Sequence, residues 1–181
     1  MCRSARQVQN IAGILLNLAS RQRMDKEILD LNQLVREMIR LLHTQLEREQ
    51  VELIDDLAED LPRIEGHAGQ IQQIVLNLIQ NSRDAILESS SRGMIVIRTF
   101  MDEYRLTLEV QDDGPGIPQV IAECIFEPFF TTRPAGEGTG LGLAVCEQIV
   151  TAAGGTITCI PSRLGGAGFE VCFTLRPSVA A

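Results

Sequence analysis

The sequence predicts an α/β fold in which a mixed β-sheet is covered on one face by helices, forming a two-layer sandwich. Two patterns predict it. Several segments carry apolar residues at the three- and four-residue spacing of amphipathic helices, and these alternate with shorter segments in which every second residue is apolar. Short polar turns join some of the strand-like segments in pairs, and helices interleaved with such hairpins favour a mixed sheet.

Length and composition favour one folded domain. The chain has 181 residues, of which 45% are hydrophobic and 22% charged, so it can bury a substantial core. Its net charge of -8 argues against a nucleic-acid-binding surface, which needs clustered Lys and Arg. The five cysteines include no C-x-x-C pair and are expected to be reduced thiols. No apolar run is long enough to span a membrane and no signal peptide is evident, so we expect a cytoplasmic chain without membrane contact.

The N-terminal part is predicted to form two helices and a strand. Apolar residues at helical spacing predict an amphipathic helix within the first 24 residues, and the polar stretch 21–25 is the best candidate for a domain boundary. A second apolar stripe, from Leu31 to Leu42, predicts a helix that continues towards Glu49. The expected division is therefore a helix over 1–24, a domain over 25–177 and a tail over 178–181.

From residue 51 onward strands and helices alternate, and Pro62 and Gly66 break the chain before the long helix. The predicted elements, in chain order, are a short strand over 51–54, a long helix over 68–88, strands over 94–100 and 105–112, a Gly/Pro turn over 113–118, a short helix, an aromatic cluster, a Gly-rich stretch over 136–142, a helix ending near Ala153 before Gly154-Gly155, and strands over 156–160 and 168–175.

The strand over 105–112 ends in a carboxylate. Leu106, Leu108 and Val110 alternate with polar residues, which predicts a strand with one buried face, and Asp112 continues the buried phase. An unpaired buried carboxylate is costly, so Asp112 needs a partner or a role. The Gly/Pro composition of the next residues is also typical of an ordinary turn, and on the residues alone both interpretations stay open.

Two further patterns could hold phosphate. Asn77, Asn81 and Asp84 lie at i, i+4 and i+7 and share one face of the long helix, where amide oxygens could bind Mg²⁺; a solvated helix face is the alternative. The spaced glycines of the Gly-rich stretch open a helix, whose N-terminal amides and dipole favour phosphate oxygens, although such a run alone proves little.

Four segments occur in an order that resembles the N, first glycine, F and second glycine boxes of bacterial histidine kinases, within the superfamily of gyrase, heat-shock-chaperone and mismatch-repair ATPases. Each box alone is modest evidence, whereas all four in this order are very specific. The segments are Gln73-Ile-Val-Leu-Asn-Leu-Ile-Gln-Asn-Ser-Arg-Asp-Ala85, Asp112-Asp-Gly-Pro-Gly-Ile117, Phe126-Glu-Pro-Phe-Phe-Thr-Thr-Arg133 and Gly136-Glu-Gly-Thr-Gly-Leu-Gly-Leu-Ala144.

The resemblance implies a Bergerat-type ATP-binding fold and the catalytic domain of a two-component sensor histidine kinase. Such a domain binds ATP and Mg²⁺ and transfers the γ-phosphoryl group to a protein histidine, for relay to an aspartate of a response-regulator receiver domain. By resemblance, Asn77 or Asn81 ligates Mg²⁺ and the other touches phosphate, with Arg83 as an additional phosphate contact. Asp112 accepts a hydrogen bond from the adenine amine.

The resemblance also implies a mobile ATP lid between Phe126 and Gly138, anchored by phenylalanines for which simple core packing is the alternative role. Arg133 stands where these kinases commonly carry a lysine, which keeps a phosphate contact with different geometry. The expected ATP-binding residues are Asn77, Asn81, Arg83, Asp84, Asp112, Gly114, Gly116, Ile117, Phe126, Thr131, Thr132, Arg133, Gly138, Thr139, Gly140, Leu141 and Gly142.

The chain departs from the family pattern at the phosphoacceptor. Neither His43 nor His67 stands in the acceptor motif, so no catalytic residue is assigned. The helix over 1–24 resembles the second arm of the phosphoacceptor helical hairpin, and we expect the first arm upstream of Met1. A chain of this extent is then not expected to phosphorylate itself at the usual site. The unpartnered apolar stripe of the helix favours a homodimer of the full-length protein.

Asn77 separates the competing functions. Hydrolytic ATPases and serine-directed kinases of the superfamily carry a glutamate at this position, and a neutral amide cannot act as a general base. A chaperone-like or topoisomerase-like ATPase is thereby disfavoured. The leading alternative is a degenerate regulatory nucleotide-binding module without phosphotransfer, against which the intact Asn77, Asn81 and Asp112 weigh.

Overall fold

A computed structural model describes residues 26–134 and 138–175. The helix predicted over 1–24, the boundary at 21–25 and the tail at 178–181 lie outside these residues. The elements, in chain order, are β1 (Glu27–Leu29), α1 (Leu31–Arg48), β2 (Val51–Leu57), β3 (Ile64–Gly66), α2 (Ala68–Ser89), β4 (Gly93–Asp102), β5 (Arg105–Asp112), α3 (Gly142–Ala152), β6 (Thr156–Pro161) and β7 (Ala167–Thr174).

The five longer strands form one mixed sheet in the order β2-β4-β5-β7-β6. β2 pairs with β4 in parallel, whereas the other three pairings are antiparallel. β1 and β3 pair in a separate two-stranded sheet that the sequence analysis did not predict. Three residues are too few for a recognisable two-residue apolar period, and only the distant partner identifies each as a strand.

The helices cover one face of the sheet, as predicted. α2 contacts both other helices as well as β4 and β5, and α3 packs on β6 and β7. The predicted core side of α2 is confirmed, since its apolar stripe is buried. Each fully buried aliphatic side chain contributes roughly 1.5–3 kcal/mol to folding. The buried members of the stripe are Ile71, Ile74, Val75, Leu78, Ile79 and Ile86.

β5 differs from the prediction, because both of its faces are buried. Thr107, Glu109 and Gln111, expected to face solvent, are as buried as the apolar residues that alternate with them. Gln111 donates a hydrogen bond to Glu109 over 2.5 Å and accepts one from the backbone N–H of Arg163, 2.7 Å away. The loop between β6 and β7 therefore satisfies Gln111, whereas Thr107 contacts Cys172 of β7 and Glu109 lies 3.7 Å from Arg98 of β4.

The short helix expected after the Gly/Pro turn is wrong. Between Pro118 and Glu127 the backbone forms successive turns, each closed by a hydrogen bond from the N–H of residue i+3 to the C=O of residue i, such as the bond of 2.9 Å from Cys124 N–H to Ile121 C=O. The predicted end of α3 is confirmed: Gly154 has a φ of 77°, and Gly155 N–H donates to Val150 C=O at 2.9 Å. Within the described ranges, none of the three helices has the length and apolarity of a membrane span.

Candidate functional site

One cavity of about 640 Å³ lies between α2, the end of β5, the turn after β5 and the beginning of α3. This size suits a small organic ligand. It brings together every expected ATP-binding residue except Arg83, Gly114, Phe126 and Leu141. The lining residues are Asn77, Gln80, Asn81, Asp84, Ala85, Glu88, Asp112, Pro115, Gly116, Ile117, Pro118, Ile121, Ile125, Phe130, Thr131, Thr132, Arg133, Gly138, Thr139, Gly140, Gly142, Leu143, Ala167 and Phe169.

Asp112, at the end of β5, lines the cavity, and only 1% of its surface is exposed. Oδ1 accepts hydrogen bonds from the N–H groups of Gly114 and Ala167, each 3.0 Å away. Oδ2 is buried and has no hydrogen-bond partner among the described residues. Burial raises the pKa of Asp112, and the Ala167 N–H is the largest of the effects that oppose the rise. The site thus presents one fixed acceptor without a donor.

The β6–β7 loop donates hydrogen bonds to the backbone carbonyl of Asp112, and sequence analysis missed this contribution. Ser162 Oγ donates to the carbonyl oxygen of Asp112 over 2.6 Å, and Gly166 N–H donates to the same oxygen over 3.2 Å. A Cβ on Gly166 would lie 2.3 Å from Asp112 Oδ1 and 2.5 Å from Gly114 N. Only glycine permits this approach. The adjacent glycines before the last strand were the available signal.

The two asparagines of α2 have different surroundings. Asn77 Oδ1 accepts from Gln73 at 2.8 Å, and its Nδ2 donates to the carbonyl of Gly142 at 3.0 Å. Asn77 therefore ties α2 to the beginning of α3. Asn81 lines the cavity, and its amide makes no hydrogen bond to another described residue. Of the two predicted metal ligands, Asn81 is the one whose amide oxygen is available to a ligand.

Arg133 is held on α2 by two carboxylates. Its guanidinium contacts Asp84 at 2.6 Å and Glu88 at 2.7 Å. Asp84 also pairs with Arg83 at 2.6 Å, and Arg83 in turn pairs with Glu49 at the end of α1. The Glu49 hydrogen bond is the main cause of the raised pKa of Arg83. In this conformation Arg83 points away from the cavity lining, and its phosphate contact stays a prediction.

The aromatic segment and the Gly-rich segment touch each other. Phe129 N–H donates to the Gly140 carbonyl at 2.8 Å, and a Cβ on Gly140 would lie 2.4 Å from the Phe129 carbonyl carbon. Phe129 itself is exposed and has a φ of 70°. Phe126 packs against the core, and Phe130 both packs and lines the cavity. Both roles weighed for the phenylalanines therefore occur.

Neither histidine belongs to the cavity. His43 lies on the exposed side of α1, where its Nδ1 is 3.2 Å from Glu47. His67 precedes the first residue of α2 and makes no side-chain capping hydrogen bond. The expectation that neither serves as the phosphoacceptor stays a prediction.

A buried carboxylate at one end of a cavity, amide side chains along a helix and a glycine-rich helix start at the other end define a nucleotide-binding class of site. The family model for histidine kinase-, DNA gyrase B- and HSP90-like ATPases matches residues 66–178. The chain belongs to this family.

Within the family, the similar proteins are sensor kinases. The chain is 34% identical over 183 residues to sensor kinase CckA of Brucella abortus (strain 2308), covering 93% of this chain and 19% of that protein. The catalytic domain of histidine kinase ThkA matches with a TM-score of 0.74 and 31% identity, over 85% of this chain and 100% of that one. The resemblance to the ATP-binding catalytic domain of histidine kinases is thereby confirmed.

A third match concerns a complex. The structure of histidine kinase ThkA in complex with response regulator protein TrrA matches with a TM-score of 0.74 and 24% identity, over 97% of this chain and 50% of that chain. At this identity the match concerns the fold. The chain spans about a fifth of the length of CckA, so the activity of a whole sensor kinase is a matter for proposal.

Proposed function

We propose that this domain binds ATP with Mg²⁺ and transfers the γ-phosphoryl group to a protein histidine on a phosphoacceptor helical hairpin. The single observation that carries the nucleotide assignment is the buried Oδ2 of the cavity-lining Asp112, which has no hydrogen-bond partner among the described residues. An ionised carboxylate only accepts hydrogen bonds, and the exocyclic amine of adenine is a donor of suitable size. The nearby lining residues Ile117 and Phe169 offer apolar surface to a base.

The phosphates belong at the other end of the cavity. Gly138, Gly140 and Gly142 lie there, at the beginning of α3, together with Arg133. Helix N-termini and backbone amides favour anionic oxygens, and a guanidinium binds phosphate through paired N–H donors. The base and phosphate ends are thus supplied by different parts of the same cavity.

The residues present fit a magnesium ion that is shared with the nucleotide. Asn81 offers a neutral amide oxygen to the cavity, and Mg²⁺ is usually bound through few protein ligands together with phosphate oxygens and water. Asn81 would therefore hold the ion, while Asn77 fixes α3 against α2. The ion, when bound, supplies charge neutralisation on the transferring phosphoryl group.

The chain's own residues position the nucleotide and do not provide a base. The amide of Asn77 is engaged with Gly142 and cannot take up a proton at neutral pH. An imidazole acceptor brings its own lone pair, so phosphoryl transfer needs mainly alignment and charge stabilisation. Hydrolysis of the chaperone or topoisomerase kind is disfavoured for the same reason.

The proposed partners are a phosphoacceptor hairpin, a response-regulator receiver domain and, in the full-length protein, a second copy of the chain. The complex of ThkA with response regulator TrrA supports the receiver domain as a partner for this fold. In such a system the phosphoryl group passes from the histidine to an aspartate of the regulator. The homodimer stays a prediction.

The decisive experiment is a calorimetric titration with a non-hydrolysable ATP analogue, with and without Mg²⁺. We expect magnesium-dependent binding that Asn81→Ala weakens by about 1–3 kcal/mol, the usual cost of losing a polar contact to a charged ligand. Gln70→Ala, on the same helix but outside the cavity lining, is the matched control and should bind normally.

Phosphotransfer is then tested with radiolabelled ATP and a histidine-bearing hairpin supplied in trans. Labelled hairpin supports the kinase assignment. Binding without labelling of any supplied hairpin favours the regulatory module, and absence of nucleotide binding contradicts the assignment of the site.

A further inference from the structure

Two buried oxygens without hydrogen-bond partners belong to the same contact between α2 and β5. Among the described residues, the buried side-chain polar atoms that lack a partner are His67 Nδ1, Ser82 Oγ and Asp112 Oδ2. A buried hydroxyl and a buried carboxylate oxygen are each costly to leave unpaired, because the hydrogen bonds that they make to water in the unfolded chain are not replaced. Two such atoms at one contact indicate a function for the pair.

Ser82 has no other use in the fold that explains a hydroxyl. It follows the cavity-lining Asn81 on α2, and only 1% of its surface is exposed. The turn after β5 lies directly on this helix, since a Cβ on Gly114 would be 3.4 Å from Ile86 N and 3.5 Å from Ala85 C. Asp112 is thereby brought to the side of α2 that carries Ser82.

The Ser82 hydroxyl is near enough to Asp112 to be among the groups that lower the pKa of the carboxyl, after the Ala167 N–H. No direct bond of ordinary geometry joins the two side chains in this conformation. The proposed interaction would need a change of the serine rotamer or one bridging water.

We propose that Ser82 is a positioning residue for base recognition: its buried, unpartnered hydroxyl, on the side of α2 that faces Asp112, orients that carboxylate as an acceptor and so favours a 6-aminopurine over a 6-oxopurine. This inference rests on the proposed function, because it requires that Asp112 reads the base. An ionised carboxylate accepts from the adenine amine. A protonated carboxyl can donate instead, and it then suits the carbonyl oxygen of guanine.

Other groups around Asp112 raise its pKa, so the opposing effect of the Ser82 hydroxyl is important. Asp113, the next residue along the chain, raises the pKa of Asp112 by charge repulsion, and burial raises it further. Cys159 of β6 is near enough for Asp112 to contribute to its raised pKa. Without the Ser82 hydroxyl, only the N–H donors of Gly114 and Ala167 support the negative charge. The protonated form of Asp112 then persists to higher pH.

The test compares Ser82→Ala with the unchanged chain, using non-hydrolysable ATP and GTP analogues at about pH 5.5 and about pH 8. We expect Ser82→Ala to bind the ATP analogue about tenfold more weakly at the lower pH and within about twofold of normal at the higher pH. Its preference for ATP over GTP should fall at the lower pH. Titration of the phosphates themselves is common to both chains and cancels in the comparison.

Thr107→Val is the matched control. It removes a buried hydroxyl from β5, the strand that also carries Asp112. Thr107 contacts Cys172 and does not line the cavity. We expect its pH profile and purine preference to equal those of the unchanged chain. Ser82→Cys keeps the side-chain size with a weaker donor, and it should shift in the same direction as Ser82→Ala by a smaller amount.

Each outcome decides between the two proposals. If the unchanged chain binds no ATP analogue at either pH, the proposed function fails and this inference fails with it. If the unchanged chain binds but Ser82→Ala follows the same pH profile, or is weakened equally at both pH values with its purine preference intact, Ser82 only packs and this inference alone is overturned. Should Ser82→Ala not fold, Ser82→Cys decides in the same way.

Discussion

The two ends of the cavity are built on different principles. At the base end, Asp112 is 1% exposed and is fixed by backbone N–H donors and by the β6–β7 loop. At the phosphate end, Arg133 is held by side chains alone, and the side chains of Arg133, Asp84 and Glu88 are 20%, 27% and 53% exposed. The base end has one geometry, whereas the phosphate end can exchange its partners.

The difference follows from the energies involved. Partly exposed ion pairs contribute about 0–1 kcal/mol, so phosphate oxygens can replace Asp84 and Glu88 on the guanidinium at small cost. Moving Asp112 would break several buried hydrogen bonds at once, each worth about 0.5–1.5 kcal/mol or more. Recognition of the base is therefore expected to be rigid, and recognition of the phosphates adaptable.

Gly166→Ala should break the rigid end most strongly. The new Cβ would lie 2.3 Å from Asp112 Oδ1 and 2.5 Å from Asp112 O, so the strand end and the loop must separate. We expect a loss of about 2–4 kcal/mol in the free energy of unfolding, measured by urea denaturation, and loss of nucleotide binding. Gly69→Ala on α2, where a Cβ meets nothing within 4 Å, is the control and should leave both unchanged or slightly raise stability. Equal behaviour of the two variants would contradict the clamp.

Asp112→Asn should affect adenine-nucleotide binding and folding stability in different ways. We expect adenine-nucleotide binding to weaken by about 1–3 kcal/mol in a calorimetric titration, because the amide can present a donor where the amine needs an acceptor. The folded-state pKa of Asp112 is raised, so its contribution to stability is fully present below the unfolded-state pKa and is lost as the pH rises through the folded-state pKa.

Thermal melting of Asp112→Asn and of the unchanged chain over a pH series tests this second part. Relative to the unchanged chain, the variant should become more stable as the pH rises from acid towards neutrality, since its side chain cannot ionise. A variant that binds normally, or whose relative stability falls over that range, would refute the interpretation of Asp112 as a functional carboxylate held at the expense of stability.

The smallest effect is expected at the adaptable end. Glu88→Gln releases one of the two partners of Arg133 and should strengthen binding of an ATP analogue by about two- to fivefold, because phosphate no longer competes with that carboxylate. Arg133→Ala should weaken the ATP analogue and leave adenosine binding unchanged. Glu147→Gln, on the exposed side of α3, makes the same change of charge away from Arg133. Equal effects of the two glutamate variants at low salt would mean that only net charge matters.

How much the sequence predicts depends on whether the signal is local. The burial of α2 and the cavity positions of Asn81 and Asp84 follow from helical spacing, and the buried Asp112 follows from the two-residue period of β5. Four boxes in order then give the family and the fold. The site assignments themselves stay predictions until a ligand is measured.

Features that depend on distant partners were missed or wrong. At the end of β5, Gln111 and Asp112 find partners in the β6–β7 loop, which lies about fifty residues downstream and supplies Ser162 and Arg163. The pairing of Arg133 with Asp84 joins two boxes that appear independent in the sequence. The helix expected after Pro118 lacks any local capping signal, and turns replace it.

The contact between Asn77 and α3 also makes the thiol of Cys146 unreactive. Cys146 is fully buried beneath Asn77, whose amide donates to its sulfur at 3.6 Å, and burial raises the pKa of the thiol to about 12. Alkylation and oxidation require an accessible thiolate, so this cysteine reacts only when α3 lifts away from α2. The rate at which Cys146 is modified thus measures how often α3 detaches from α2. A bound nucleotide that holds the two helices together would lower this rate.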